Sequence, residues 1–83
     1  MVTEIGEKIK VGAVFSDGHL RPEVFFWQKR RYEIRKVFGA YHDFVGRAKR
    51  LHYAVGCGSE DVFEITLNTE EMEWELDRVH TPD

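Results

Sequence analysis

Eighty-three residues make one domain, residues 1–83, and a domain of that size buries only about 60–65% of the surface its unfolded chain exposes, which leaves little room for an internal cavity. With 42% hydrophobic and 33% charged residues and only two prolines, the chain is globular rather than disordered. A single cysteine excludes an internal disulfide framework, nothing at the N-terminus resembles a signal peptide, and no apolar run approaches the ~20 residues of a membrane-spanning helix, so a cytoplasmic protein with no membrane partner is expected.

The net charge of −3 hides a strong division. Residues 29–50 hold eight basic side chains (Lys29, Arg30, Arg31, Arg35, Lys36, Arg47, Lys49, Arg50) against Glu33 and Asp43, whereas residues 51–83 hold Arg78 alone against nine acids. The overall balance therefore says little about partners, because the two parts can face different directions.

In chain order, residues 1–6 read as a loose lead-in, and the ends 1–7 and 80–83 are expected to be flexible. Ile9, Val11, Ala13 and Phe15 then alternate with their neighbours, which predicts a first strand over about 8–16. Asp17-Gly18 follows, a dipeptide favoured in two-residue hairpin turns because both positions tolerate positive φ. The stretch from Pro22 to Val37, PEVFFWQKRRYEIRKV, is central. Its first part, with Phe25 and Trp27 on one parity and Val24 and Phe26 on the other, forms a second strand that is apolar on both faces. A short polar connection leads to a third strand over about 31–38, in which Tyr32 and Ile34 point inward. Val37 and Phe38 break that parity, and a β-bulge near Arg35–Lys36 is the simplest repair.

Residues 39–49 place Tyr41, Phe44, Val45 and Ala48 at helical spacing, yet Gly46 interrupts, so this segment reads as a loop with one helical turn whose aromatics cap the fold or are displayed for a partner. Three more alternating strands follow, around Leu51–Cys57, Phe63–Leu67 and Met72–Leu76, with glycines 56 and 58 marking a bend or a close backbone approach. Six short strands and no confident helix predict an all-β antiparallel meander. Closing it into a small bent-sheet barrel would remove exposed edges; a sandwich or an open, strongly bent sheet is the alternative.

The pattern Pro22-x-x-Phe25-x-Trp27, Arg31-Tyr32-x-Ile34, Val37, Phe63-x-Ile65 and Trp74-x-Leu76 resembles a group of small bacterial domains of unknown function. The resemblance covers most of the chain from Val11 to Val79. Its matching positions are aromatic and aliphatic; it implies a bacterial all-β domain and carries over no catalytic residue.

The chemistry-bearing residues are scattered. His42 and His52 lie ten apart, and His52 and Cys57 fall on opposite strand faces, unlike the paired short spacings of structural zinc sites, so no metal and no cofactor is expected. Cys57 has no neighbour in sequence to lower its pKa and reads as a small buried thiol. Glu73, Glu75 and Asp77 share one face, as on any solvated strand, and Gly56-x-Gly58 is too short for a phosphate loop. The sequence therefore predicts a binding module rather than an enzyme. Its candidate surface is the basic cluster Lys29, Arg30, Arg31, Arg35, Lys36, Arg47, Lys49 and Arg50 with Phe38, Tyr41 and Phe44 beside it. The expected partner is protein, either a second copy or another chain, contacted through the charged faces; the alternative is nucleic acid, with phosphates on the cations and bases stacked on the aromatics.

Overall fold

The computed structural model describes residues 1–82. Seven antiparallel strands form one sheet: β1 (Val2–Ser16), β2 (His19–Trp27), β3 (Arg30–Glu33), β4 (Lys36–Val45), β5 (Ala48–Gly56), β6 (Val62–Asn68) and β7 (Glu73–His80). Their spatial order is β3-β2-β1-β7-β6-β5-β4. The all-β antiparallel reading holds, but the sheet is not closed: β3 and β4 are its two ends and do not pair with each other.

β1 is the strand around which the sheet bends. Its first part pairs with β7, from Val2 opposite His80 to Ile9 opposite Trp74, and its second part pairs with β2, from Lys10 opposite Phe26 to Ser16 opposite His19. Register irregularities at Glu4–Glu7 and at Gly12–Ala13 supply the curvature, as bulges do. The lead-in expected over residues 1–6 is thus part of β1, and Met1 and Thr81 exchange backbone hydrogen bonds of 2.8 Å that tie the two ends of the chain together. Asp83 lies outside the described residues.

Turn chemistry explains two of the hairpins. Asp17 and Gly18 both have positive φ (54° and 78°), the conformation that the Asp-Gly pair predicts. Gln28 and Lys29 adopt the same conformation (52° and 62°) between β2 and β3, without a glycine to ease it.

Curling brings β2 and β3 over β5 and β6. Phe25 stacks on Tyr32 (4.8 Å between ring centroids), and both rings lie 5.3 Å from Phe63. The Tyr53 hydroxyl on β5 donates to the Leu20 carbonyl on β2 at 2.8 Å. Phe25, Val55, Phe63, Ile65, Leu67, Leu76 and Val79 form the buried interior. Each such side chain contributes about 1.5–3 kcal/mol by leaving water. Most of the apolar pattern Phe25, Trp27, Tyr32, Ile34, Phe63, Ile65, Trp74 and Leu76 is therefore core or packed against it.

The third strand expected over 31–38 is two strands. At Ile34–Arg35 the chain changes neighbours: the Ile34 amide donates to Glu23 O on β2, and the next amide, Arg35, donates to Gly56 O on β5, both at 2.9 Å. β3 and β4 consequently sit on opposite ends of the sheet. The bulge expected at Arg35–Lys36 falls two residues later, between Val37 and Gly39, where Phe38 is the extra residue.

Residues 39–49 are not a loop with a helical turn. They are most of β4, a two-residue turn at Gly46-Arg47 with Gly46 at φ 62°, and the start of β5. Glycine at the first turn position with positive φ is the requirement of a type II′ hairpin. The strand escapes detection because it has a neighbour on one side only and solvent on both faces, so no apolar–polar alternation marks it.

Candidate interaction surface

β4 is an edge strand of ten residues, and nearly all of it is exposed. An edge strand turns one row of N–H and C=O groups away from its single neighbour, ready to pair with another chain. Along this edge stand Val37, Phe38, Tyr41, Phe44 and Val45, with Phe38, Tyr41 and Phe44 54%, 62% and 61% exposed. Tyr41 and Asp43 share the outer face with His52 and Arg50, their partners across the β4–β5 ladder, while His42 and Phe44 stand on the opposite face. Phe38 is anchored across the backbone of Gly56: a Cβ built there would meet its ring at 2.8 Å. Lys36 Nζ sits 5.0 Å above the same ring.

Polar groups on the outer face hold β4 in place. Arg50 donates to both oxygens of Asp43 (2.9 and 2.7 Å), and His52 Nε2 donates to Asp43 Oδ1 at 2.9 Å. These two donors, Arg50 first, hold the Asp43 carboxyl far below the usual carboxylate range. The Tyr41 ring stacks on His52, 4.4 Å away and 9° from parallel. His52 Nδ1 lies 2.8 Å from the Thr66 hydroxyl, which donates to Asp77. Glu75, hydrogen-bonded to Asp77, has its pKa raised by that shared proton, by burial and by repulsion from the neighbouring carboxylate. A line of polar side chains thus crosses four strands, from Asp43 on β4 to Asp77 on β7, along a groove of about 400 Å³. Each member has a partner within the line, which fastens β4 to its neighbours.

The basic residues singled out in the sequence do not form one face. Arg31 pairs with Glu33 on its own strand (3.4 Å), and Arg50 is committed to Asp43. Lys29 and Arg30 lie at the β2–β3 turn, Arg35 and Lys36 at the β3–β4 junction, Arg47 in the β4–β5 turn and Lys49 at the start of β5. None of these six makes an ion pair among the described residues. A second groove, about 670 Å³, is lined by Arg21, Arg31, Arg35 and Lys36 together with Glu23 and Glu33. The aromatics Phe38, Tyr41 and Phe44 are brought together, but along β4, between the two basic ends.

Cys57 is half-buried, and burial pushes its thiol up to about 11 despite the opposing influence of Arg35, so it is protonated at neutral pH. Among the described residues no group of three or more His, Cys, Asp or Glu side chains is arranged to hold a metal ion. No helix of the structure is long and apolar enough to cross a membrane.

Sequence reasoning missed Val37 and Val45 as surface residues, and missed the polar line of His52, Thr66 and Asp77. The second omission has a clear cause: Asp43, Arg50, His52 and Thr66 meet only through the register of β4, β5 and β6. Compared with known proteins, the chain matches no family model, no curated protein and no solved structure.

Proposed function

We propose that this chain is a binding module that takes an extended polypeptide strand along the free edge of β4. The observation that carries this reading is the difference between the two ends of the sheet. β3 is four residues long and three of them are charged, the usual way an edge is blunted against unwanted pairing. β4 is ten residues long, has no lysine, arginine or proline between Val37 and Val45, and exposes aromatic and aliphatic side chains along both faces. Main-chain hydrogen bonds from an added strand would supply affinity, and side chains beside Tyr41 and Phe44 would supply selectivity. Contact through this edge, rather than through the charged faces that the sequence suggested, follows from the run of five exposed apolar side chains that one free edge carries, Val37, Phe38, Tyr41, Phe44 and Val45.

The test is titration of isotope-labelled protein with a large excess of ten-residue peptides that alternate aromatic or β-branched residues with polar ones. Amide shifts confined to β4 and β5, and lost in a Tyr41→Lys, Phe44→Lys double variant, are the expected result. Shifts centred on β3 or on the Arg21–Lys36 groove, or none at all, would overturn the reading.

That groove supports a second reading, an anionic ligand such as a nucleic-acid strand held by Arg35 and Lys36, whose charges no carboxylate pairs among the described residues. The two readings separate on salt. Phosphate binding weakens linearly in log affinity against log salt, whereas pairing along an apolar edge does not.

A further inference from the structure

We infer that the strand β4 receives is β4 of a second copy of this chain, paired antiparallel about a two-fold axis at Tyr41; this rests on the edge reading above and names its occupant. The apolar positions of the edge are arranged symmetrically about that residue. Counting outward from Tyr41, the residues three away are Phe38 and Phe44, and the residues four away are Val37 and Val45. Antiparallel pairing centred on Tyr41 therefore sets Val37-Phe38 of each copy against Phe44-Val45 of the other. That self-complementarity is what a two-fold interface demands, since residue i must suit j and j must suit i. The bulge refines the match: because Phe38 is the extra residue, Phe44 of the partner copy comes opposite Val37 and the Phe38 ring lies beside the pair.

Charge does not oppose the arrangement along its centre. The one acidic residue between Val37 and Val45 is Asp43, and Arg50 of its own copy already pairs with it while His52 hydrogen-bonds it. At the ends, Lys36 of one copy approaches the Val45–Arg47 end of the other, so cations meet and added salt should tighten the dimer by screening them. Association stops at two copies, because the symmetric contact consumes the β4 edge of both and leaves only the short, charged β3 edges.

The axis makes a specific demand: residue 41 faces residue 41. Two lysines placed there oppose each other directly, as do two glutamates, while a lysine and a glutamate attract. Sedimentation of the full chain across nanomolar to high-micromolar concentration is the experiment, with circular dichroism to confirm that each variant is folded. Wild type is expected to pass from monomer to dimer, Tyr41→Lys and Tyr41→Glu each to remain monomeric, and their equimolar mixture to recover the dimer. Phe44→Lys, which leaves the Tyr41–His52 stack untouched, is expected to raise the dissociation constant by about tenfold or more. A wild type that stays monomeric throughout, or a mixture that stays monomeric while wild type dimerises, would overturn the proposal. A monomeric wild type whose β4 still takes the alternating peptides removes the second copy as occupant and leaves the edge reading standing; one that takes neither removes both.

Discussion

At the scale of single residues, two sites, the Gln28-Lys29 turn and Glu75, carry unfavourable terms that a substitution can relieve. Gln28 and Lys29 both occupy the left-handed region, where a side chain costs roughly 1–2 kcal/mol. Replacing them by Asn-Gly, which suits that turn, is expected to raise unfolding stability by about 1 kcal/mol, measured by denaturant titration of both proteins. Glu75 and Asp77 crowd two carboxylates on one face, and Glu75's pKa is raised in consequence. A raised carboxyl contributes stability only where it is protonated, and loses it as pH rises through the raised value. Glu75→Gln is therefore expected to increase the melting temperature at pH 7 and to leave it unchanged at pH 3. Asp43 has the opposite sign. Its depressed pKa supplies stability that is present above the ordinary carboxylate range and is lost as pH falls below it. Asp43→Asn should lower the melting temperature at pH 7 and converge with wild type in acid; parallel curves across the whole range would contradict this.

Residue-level signals were legible where they act locally. The Asp17-Gly18 turn, the inward Phe25, Tyr32, Phe63, Ile65 and Leu76, and the close approach at Gly56 all follow from residue type and alternation, and the structure places them accordingly. His52 could not be read in the same way. Its partners Asp43 and Thr66 lie on different strands, and only the register of three ladders brings them within hydrogen-bond distance.

At the scale of elements, the instructive case is β4. Alternation reveals a strand only when one face is buried and the other is wet, and β4 is wet on both faces. Its aromatics at positions 41 and 44, followed by Val45, happened to satisfy helical spacing, while the positive φ of Gly46 belonged to a hairpin turn rather than to a helix interruption. The same exposure that concealed the strand is what gives it an interaction surface. β3 offers the contrast: it is short, charged and paired along Val24–Trp27, with nothing apolar left to display except the inward Tyr32. The change of neighbours at Ile34–Arg35 links these two edges, since one residue's amide completes the β2 ladder and the next begins the β5 ladder.

At the scale of the whole molecule, the charge division visible in the sequence is resolved inside the sheet only in part, since Lys29, Arg30, Arg35, Lys36, Arg47 and Lys49 make no ion pair among the described residues. Arg50 of the basic segment is drawn to Asp43, the β7 carboxylates face Arg50 and Lys8 across the outer surface, and Arg78 bridges Glu4 and Glu64. Besides those cations, the fold leaves exposed a run of apolar side chains along β4, Val37, Phe38, Tyr41, Phe44 and Val45, with Phe15 and Phe26 exposed elsewhere. The curled sheet keeps this edge away from the core, so occupying it requires no rearrangement of the interior formed by Phe25, Phe63, Ile65 and Leu76. Strand addition at β4 would extend the existing ladder by one more strand at the usual spacing.

Amide hydrogen exchange of the wild-type chain, followed strand by strand as protein concentration is raised, tests that claim most directly. Exchange at β4 is expected to slow with concentration while exchange at β3, the other edge, stays constant. Slowing at β3 or in the Arg21–Lys36 groove with no change at β4 would contradict it.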